Sequence, residues 1–569
     1  MDRKGIIAIA LAILVMAWSQ YHYQQQLNEY KKTHPAKTLA EASASPSATA
    51  TATTSPTAAP ETKIAATPQE PEKTETVTTS SAVYTFTNRG GGIASIKLLK
   101  HQGANPGENV ILNAGSSHPI GAILPQPEDP GDDTYHVTVE GNKVTCEQTS
   151  PAGLQTVKTY TIHDDADKEY RVDLDVTYTN RASAAISNGE FYVYAGAAQP
   201  IHPNDPPTYT GLDWFRQGEN NFIVTSYFNA GSIPLIGVQT SAAKTSYSQS
   251  PGDVAWVGVR NQYFTSIVTP TSATGKGVWG RPYNVKIEQK DLKGIEAFLQ
   301  MQGTRLNPGE STHQSFGIYA GPAQYDRLKS LGHGEENILD LNRWWINRTI
   351  GFFLLRVLNL LHGFIGNYAL SIILLTFIVR SILWPIQGRA NKSMKRMQQV
   401  QPIMNELKEK YKDTPEKMNQ EMIKLYREYK INPAAGCVPA LIQIPIFFGF
   451  YTMLGTAVEL RNSHFLWVHD LSRPDTIFHL ANYPVNILPL CMAATMLVQM
   501  QLTPKSGDPA QQRMFMLMPL TFVLITYNYA SALALYYTVQ NILSIVQLYV
   551  TRNQPIPALV KEPAAKKQR

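Results

Sequence analysis

Arg380 stands alone in the apolar run LTFIVRSILWPI, Leu375 to Ile386. A guanidinium in such surroundings is tolerated only where water or an anionic partner meets it. Thr376 lies four residues earlier, one turn away on the same helical face. Neighbouring apolar runs add Gln443, Gln499, Gln540, Asn541 and Ser544, side chains able to hydrogen-bond between helices. None of these runs contains Asp or Glu. Counted back from the polar Gln387, Arg380 sits about 10 Å inside its run at 1.5 Å per residue. The chemistry open to this set is electrostatic: a hydrated recess open toward the end marked by Gln387, into which a carboxylate is drawn. The plain alternative is a long side chain snorkelling to the headgroups.

Other chemistries find little support in the sequence. Cys146, Cys437 and Cys491 form no CxxC or Cys/His pattern, so neither a disulfide framework nor a zinc site is indicated. His136, His163, Asp164 and Asp165 have no metal-ligand or nucleophile spacing and read as strand ends or turns. No GxxxxGK[ST] phosphate-binding loop occurs. We therefore assign no catalytic residue, metal or cofactor, and expect a protein that is not an enzyme.

The elements that must position Arg380 follow from hydropathy and charge. Of 569 residues 43% are hydrophobic and the net charge is +6, but the basic residues gather beside long apolar segments, the pattern of membrane topology rather than nucleic-acid binding. Five clustered segments are apolar enough to span: Tyr368 to Ile386, Val438 to Ala457, Asn486 to Leu502, Met514 to Tyr527 with neighbours, and Ala532 to Val550. The stretch between the first two carries eleven Lys and Arg, from Arg389 to Lys430, which places it in the cytoplasm. Within it Met397, Val400, Met404 and Leu407, then Met418, Met422 and Leu425, recur at helical steps around a turn at Asp413 to Pro415, predicting a helical hairpin with a methionine-rich seam. In the segment Leu341 to Phe364, Arg348, Arg356, Asn359 and His362 fall within an arc of about 120°, the signature of an interfacial amphipathic helix.

The first half differs in kind. Met-Asp-Arg-Lys followed by GIIAIALAILVMAW reads as an uncleaved N-terminal anchor, because no small-x-small site follows it. An Ala/Thr/Pro/Ser-rich tether comes next, and then alternating runs such as YRVDLDVTY predict a large antiparallel sandwich outside the cytoplasmic membrane. The expected division is an anchor at 1–32, a linker at 33–81, a β domain at 82–323 and the interfacial helix at 341–366. The spans follow at 367–387, 437–458, 486–503, 514–530 and 531–551. They are separated by the hairpin at 388–436, an external loop at 459–485 and a cytoplasmic loop at 504–513, and a basic cytoplasmic tail at 552–569 closes the chain. Six spans place both termini in the cytoplasm.

From Asn342 to Arg552 the chain resembles the YidC/Oxa/Alb family of membrane protein insertases. The resemblance rests on FIVR ahead of Trp384-Pro385, NPAAGCVPALIQIPIFFGFY at Asn432 to Tyr451, VELR at Val458 to Arg461, HDLS at His469 to Ser472 and LALYY at Leu533 to Tyr537. The anchor, linker and β domain resemble the Gram-negative form, for which the family implies a periplasmic β-supersandwich. The resemblance further implies an inner-membrane insertase and chaperone whose groove opens to cytoplasm and lipid. Arg380, Thr376, Tyr537 and Gln443 would line that groove, and Ile444, Pro445 and Phe447 would form a hydrophobic slide. The implied partners are nascent membrane proteins, the Sec translocon, the ribosome, the signal recognition particle pathway and lipids, with no DNA binding and a monomer as default. Met397, Met404, Met418 and Met422 mark the client-receiving hairpin. One departure stands out: Ala530-Ser531-Ala532 replaces the family's Pro-x-Gly before the last span. A small-anion transporter and an anchored carbohydrate-active protein are the rival readings. The first lacks an internal repeat, and the second does not need five clustered spans.

Overall fold

The computed structural model describes residues 71–105, 107–232, 239–339, 345–429, 438–480, 483–503 and 521–553, all within one compact unit, Glu70–Arg569. The expected anchor, the loop at 504–513, residues 514–520 of the span at 514–530 and nearly all of the tail lie outside the described residues.

Strict alternation builds the β domain. Along Arg171–Asn180 every second residue, including Val172, Leu174, Val176 and Tyr178, is buried, as the two-residue period of a strand requires. This strand lies within a nine-stranded antiparallel sheet. A five-stranded sheet centred on Gly277–Ile287, Lys290–Met301 and Phe191–Ala198 accompanies it. Trp256, Phe264, Leu299 and Tyr160 belong to the shared core, which makes the domain a mostly β sandwich. A four-stranded sheet begins at Thr74–Thr78, inside the stretch assigned to the tether. The linker boundary at 81 is therefore corrected: TETVT pairs with Ala82–Thr87 and buries Val77, an alternation hidden by the Thr-rich composition around it.

One core residue defies the pattern. Lys158 is fully buried, and its Nζ donates to the carbonyls of Gly90 (2.7 Å), Gly91 (3.2 Å) and Gly121 (3.1 Å) while lying 4.5 Å from the Tyr135 ring centroid. Three acceptors match the three donors of an ammonium group. Among the residues weighed for catalysis, His163 pairs with Asp173 at 2.7 Å, and Asp164 accepts from Ser80.

The helices follow. Helix α1 is Tyr325–Leu331, α2 Trp345–Ile365, α3 Tyr368–Lys410, α4 Pro415–Glu428, α5 Val438–Thr456, α6 Ile487–Leu502 and α7 Ser531–Arg552. Gly366 at φ 71° ends α2, Asn367 Oδ1 caps α3 by accepting from Leu370 N (3.1 Å), and His362 stacks on Tyr368 across the corner (3.7 Å). The expected span and the first arm of the hairpin form one continuous helix of 43 residues, with Pro385 and Pro402 inside it. Among the described residues, α3 and α7 are long and apolar enough to cross a membrane; the apolar parts of α2, α5 and α6 are shorter.

The departure before the last span is resolved by neighbouring carbonyls. Ser531 N donates to Arg473 O (2.8 Å) and Ala532 N to Leu471 O (2.9 Å), so the loop carrying HDLS satisfies the first amides of α7. The β domain seats on the helices through the same region. Arg461 Nη2 donates to Gln102 O (2.9 Å), Gln262 Nε2 to Gly455 O (2.6 Å) and Tyr263 Oη to Ser472 O (3.2 Å).

Candidate functional site

The Arg380 side chain is 7% exposed, and Nη1 donates to Gln387 Oε1, seven residues toward the end of the apolar run. The guanidinium also lies within electrostatic range of Tyr536 on α7. Gln443 on α5 reaches the same place, its Nε2 3.4 Å from both Tyr536 Oη and Gln540 Oε1. Asn541, Ser544 and Gln547 continue a buried polar strip along α7; Asn541 Nδ2 meets Thr495 Oγ1 (3.3 Å) and Gln547 Nε2 meets Trp384 O (3.1 Å). The apolar stretches of α3, α5, α6 and α7 contain no carboxylate, and among the described residues Arg380 is met by amide and hydroxyl dipoles.

The other sequence-derived residues are distributed unevenly around this point. Thr376 is buried and its hydroxyl is spent on its own helix, donating to Ile372 O (2.7 Å). Tyr537 is buried with no partner for its hydroxyl among the described residues, and its ring lies 5.6 Å from Phe447 and 5.1 Å from Phe522. Ile444 is exposed, Pro445 is half-buried, and Phe447 turns inward to Tyr451 and Tyr537, so the three slide residues do not share one face. In the hairpin, Met397, Met404 and Met422 pack with Val400 and Leu425, whereas Met418 stands outside that cluster. Gln387, which accepts from the guanidinium, and Tyr536, within its electrostatic range, were not singled out from sequence as its partners. The seven-residue spacing from Arg380 to Gln387 was the signal available for one; for Tyr536, beside Tyr537, there was none.

A model of the YidC periplasmic domain matches residues 74–352, and a model of the 60Kd inner membrane protein matches residues 360–557. The membrane protein insertase YidC of Syntrophus aciditrophicus is 30% identical over 97% of this chain and 100% of its own. The chain belongs to the YidC family of membrane protein insertases. The YidC proteins of Geobacter sulfurreducens and Cupriavidus metallidurans are 32% and 31% identical, over 82% and 83% of this chain and 83% and 81% of their own. A crystal structure of an active YidC insertase with its first transmembrane domain resolved aligns with 85% of this chain and 94% of its own at 19% identity and a TM-score of 0.34. As a YidC-family protein the chain is an inner-membrane insertase with a periplasmic domain, and the described sandwich occupies the stretch that the periplasmic model matches.

Proposed function

We propose that this insertase works through a wet groove bounded by α3, α5, α6, α7 and the span at 514–530, open to cytoplasm and lipid. With the N-terminal anchor the groove helices make six spans, α2 lies in the interface, and both termini are cytoplasmic. Arg380 draws the acidic or polar tail of a nascent membrane protein into the groove, and Gln443, Gln540 and Asn541 keep the groove hydrated. The client's apolar segment then leaves into lipid past Ile444, Pro445 and Phe447. The observation that carries this reading is the buried guanidinium met by dipoles and no carboxylate. A charge crossing hydrocarbon costs about 2.5–3.5 kcal/mol on insertion scales, and a recess that hydrates part of the path lowers that barrier. The work comes from partitioning of apolar segments, without a chemical step. The α3–α4 hairpin receives clients from the ribosome or the signal recognition particle pathway, and the periplasmic face meets the Sec translocon. The protein acts as a monomer.

The test is insertion of a single-span client with an acidic N-terminal tail into proteoliposomes containing only this protein, read by protease protection of the tail. Wild type and Arg380→Lys insert, and Arg380→Ala does not. Equal insertion by all three would reduce Arg380 to a snorkelling residue, and no insertion above empty liposomes would remove the groove reading altogether.

A further inference from the structure

Between α5 and α6 the chain forms a short antiparallel hairpin, Thr476–Leu480 paired with Tyr483–Asn486. Successive residues of a strand face opposite sides. Phe478 pairs with Val485 and Leu480 with Tyr483, so Phe478, Leu480 and Tyr483 share one open apolar face, 53%, 67% and 77% exposed, and Ile477 at the bulge before them is 48% exposed. From Thr476 to Asn486 the sequence holds no Lys, Arg, Asp or Glu. An isolated two-stranded hairpin with this composition is marginal in water and invites aggregation.

The hairpin is nonetheless firmly rooted. Asp475 Oδ2 accepts from Leu488 N (2.6 Å) in the first turn of α6 and from Trp467 Nε1 (3.1 Å). Thr476 Oγ1 donates to Asn486 Oδ1 (2.6 Å), Asn486 Nδ2 to Tyr527 O (2.9 Å), and Tyr527 Oη to Pro484 O (2.8 Å). Its base is thus bonded to the start of α6 and to the chain just beyond the helical residues 521–526.

Helix α6 supplies the second observation. Its 16 residues rise about 24 Å at 1.5 Å each, short of a hydrocarbon core of about 30 Å. Its exposed residues Leu490, Leu497, Val498 and Leu502 give an apolar surface that continues into the hairpin at Asn486. Two extended residues rise about 6.6 Å, enough to make up the difference.

We propose that this hairpin is a lipid-binding element, seated in the periplasmic leaflet, where it completes the apolar height of α6. Acyl chains cover the face of Phe478 and Leu480, and Trp467 and Tyr483 mark the level of the headgroups. A bilayer fits this element better than a protein partner does, because its apolar face runs on from the exposed leucines of α6, a helix too short to cross the hydrocarbon alone. The inference rests on the reading of α6 as a span.

The test labels single cysteines with an environment-sensitive fluorophore in the full-length protein carrying Cys437→Ala and Cys491→Ala, with the buried Cys146 retained. Phe478→Cys and Leu480→Cys report the hairpin, and Leu497→Cys reports α6. In phosphatidylethanolamine/phosphatidylglycerol proteoliposomes, with iodide on both sides, the hairpin labels emit at shorter wavelength, lose intensity to lipid spin-labelled near the headgroup, and resist iodide. Quenching of 478 and 480 by iodide alone overturns the proposal, and so does shielding from both quenchers, which indicates a protein partner. Lipid quenching at 497 in either of those cases leaves α6 a span and condemns only the hairpin. Its absence there removes both readings.

Discussion

Gly449 offers a quantitative test of how α2 is held. It lies in α5, and a Cβ built at this position falls 2.7 Å from Ile350 Cγ2 and 3.4 Å from Ile350 Cβ on α2. Ordinary carbon–carbon contact is about 3.5–4.0 Å, so Gly449→Ala must push α2 away by about 1 Å. Overpacking of this kind costs about 1–3 kcal/mol, partly offset by about 1 kcal/mol of helix propensity gained on replacing glycine. The net expectation is a loss of about 1 kcal/mol. Ile350→Ala removes the obstructing methyl groups, so the double variant regains the propensity without the clash, and the coupling in a double-mutant cycle is favourable by about 1–3 kcal/mol. Stability is read from detergent-exchange unfolding in mixed micelles, followed by tryptophan fluorescence, for the four proteins. Insertion yield of the acidic-tailed client should follow the same order, because α5 also carries Ile444 and Phe447. A neutral Gly449→Ala together with strict additivity of the two changes would refute the close approach of α2 and α5.

Further expectations concern the periplasmic ends of the helices. Burial pushes the Glu459 carboxyl up to about 7, with the Asn359 hydrogen bond opposing the shift and Asp326 adding to it. Between about pH 4.5 and 7 the folded state then keeps a proton that the unfolded chain has released, so stability falls as pH rises through that window, by at most about 3 kcal/mol. Glu459→Gln should flatten that slope in pH-resolved unfolding; an unchanged slope would assign it elsewhere. Asp475→Ala removes the acceptor of Leu488 N and should cost about 0.5–2 kcal/mol, visible as faster amide exchange in the first turn of α6. Tyr451→Phe deletes the hydroxyl that donates to Tyr529 (2.6 Å) and is hydrogen-bonded to Tyr209 of the β domain. It should cost about 1 kcal/mol and raise proteolytic cleavage near residues 207–211, with unchanged cleavage counting against a seam between domain and core.

What the sequence made legible was whatever a period or a charge count controls. The alternation along Arg171–Asn180 and the helical steps from Met397 to Leu407 each have a physical cause confined to neighbouring residues, so they could be read directly. The strand at Thr74–Thr78 was missed because five residues rich in Thr look like the tether before them until their partner strand is known. The apolar hairpin before α6 escaped notice within a loop assigned by its low positive charge. At the candidate site, Arg380 was conspicuous because a lone charge breaks an apolar run. Gln387 and Tyr536 were not, since what distinguishes them is arrival at one point from two helices. The division of the slide, with Ile444 outside and Phe447 inside, likewise depends on where α5 meets Tyr537.

The unbroken course of α3 has a mechanical consequence. One helix of 43 residues, about 65 Å long, carries Arg380 near one end and the methionine seam near the other. A tilt imposed on the cytoplasmic arm cannot be absorbed by a loop, because none intervenes. It appears at a weakened joint of the shaft, and the one nearer Arg380 is Pro385, whose missing N–H leaves the Ser381 carbonyl without its helical donor. The pivot sits between Arg380 and its partner Gln387. Bending there changes the reach of the guanidinium, so the methionine seam at one end of α3 is geared to Arg380.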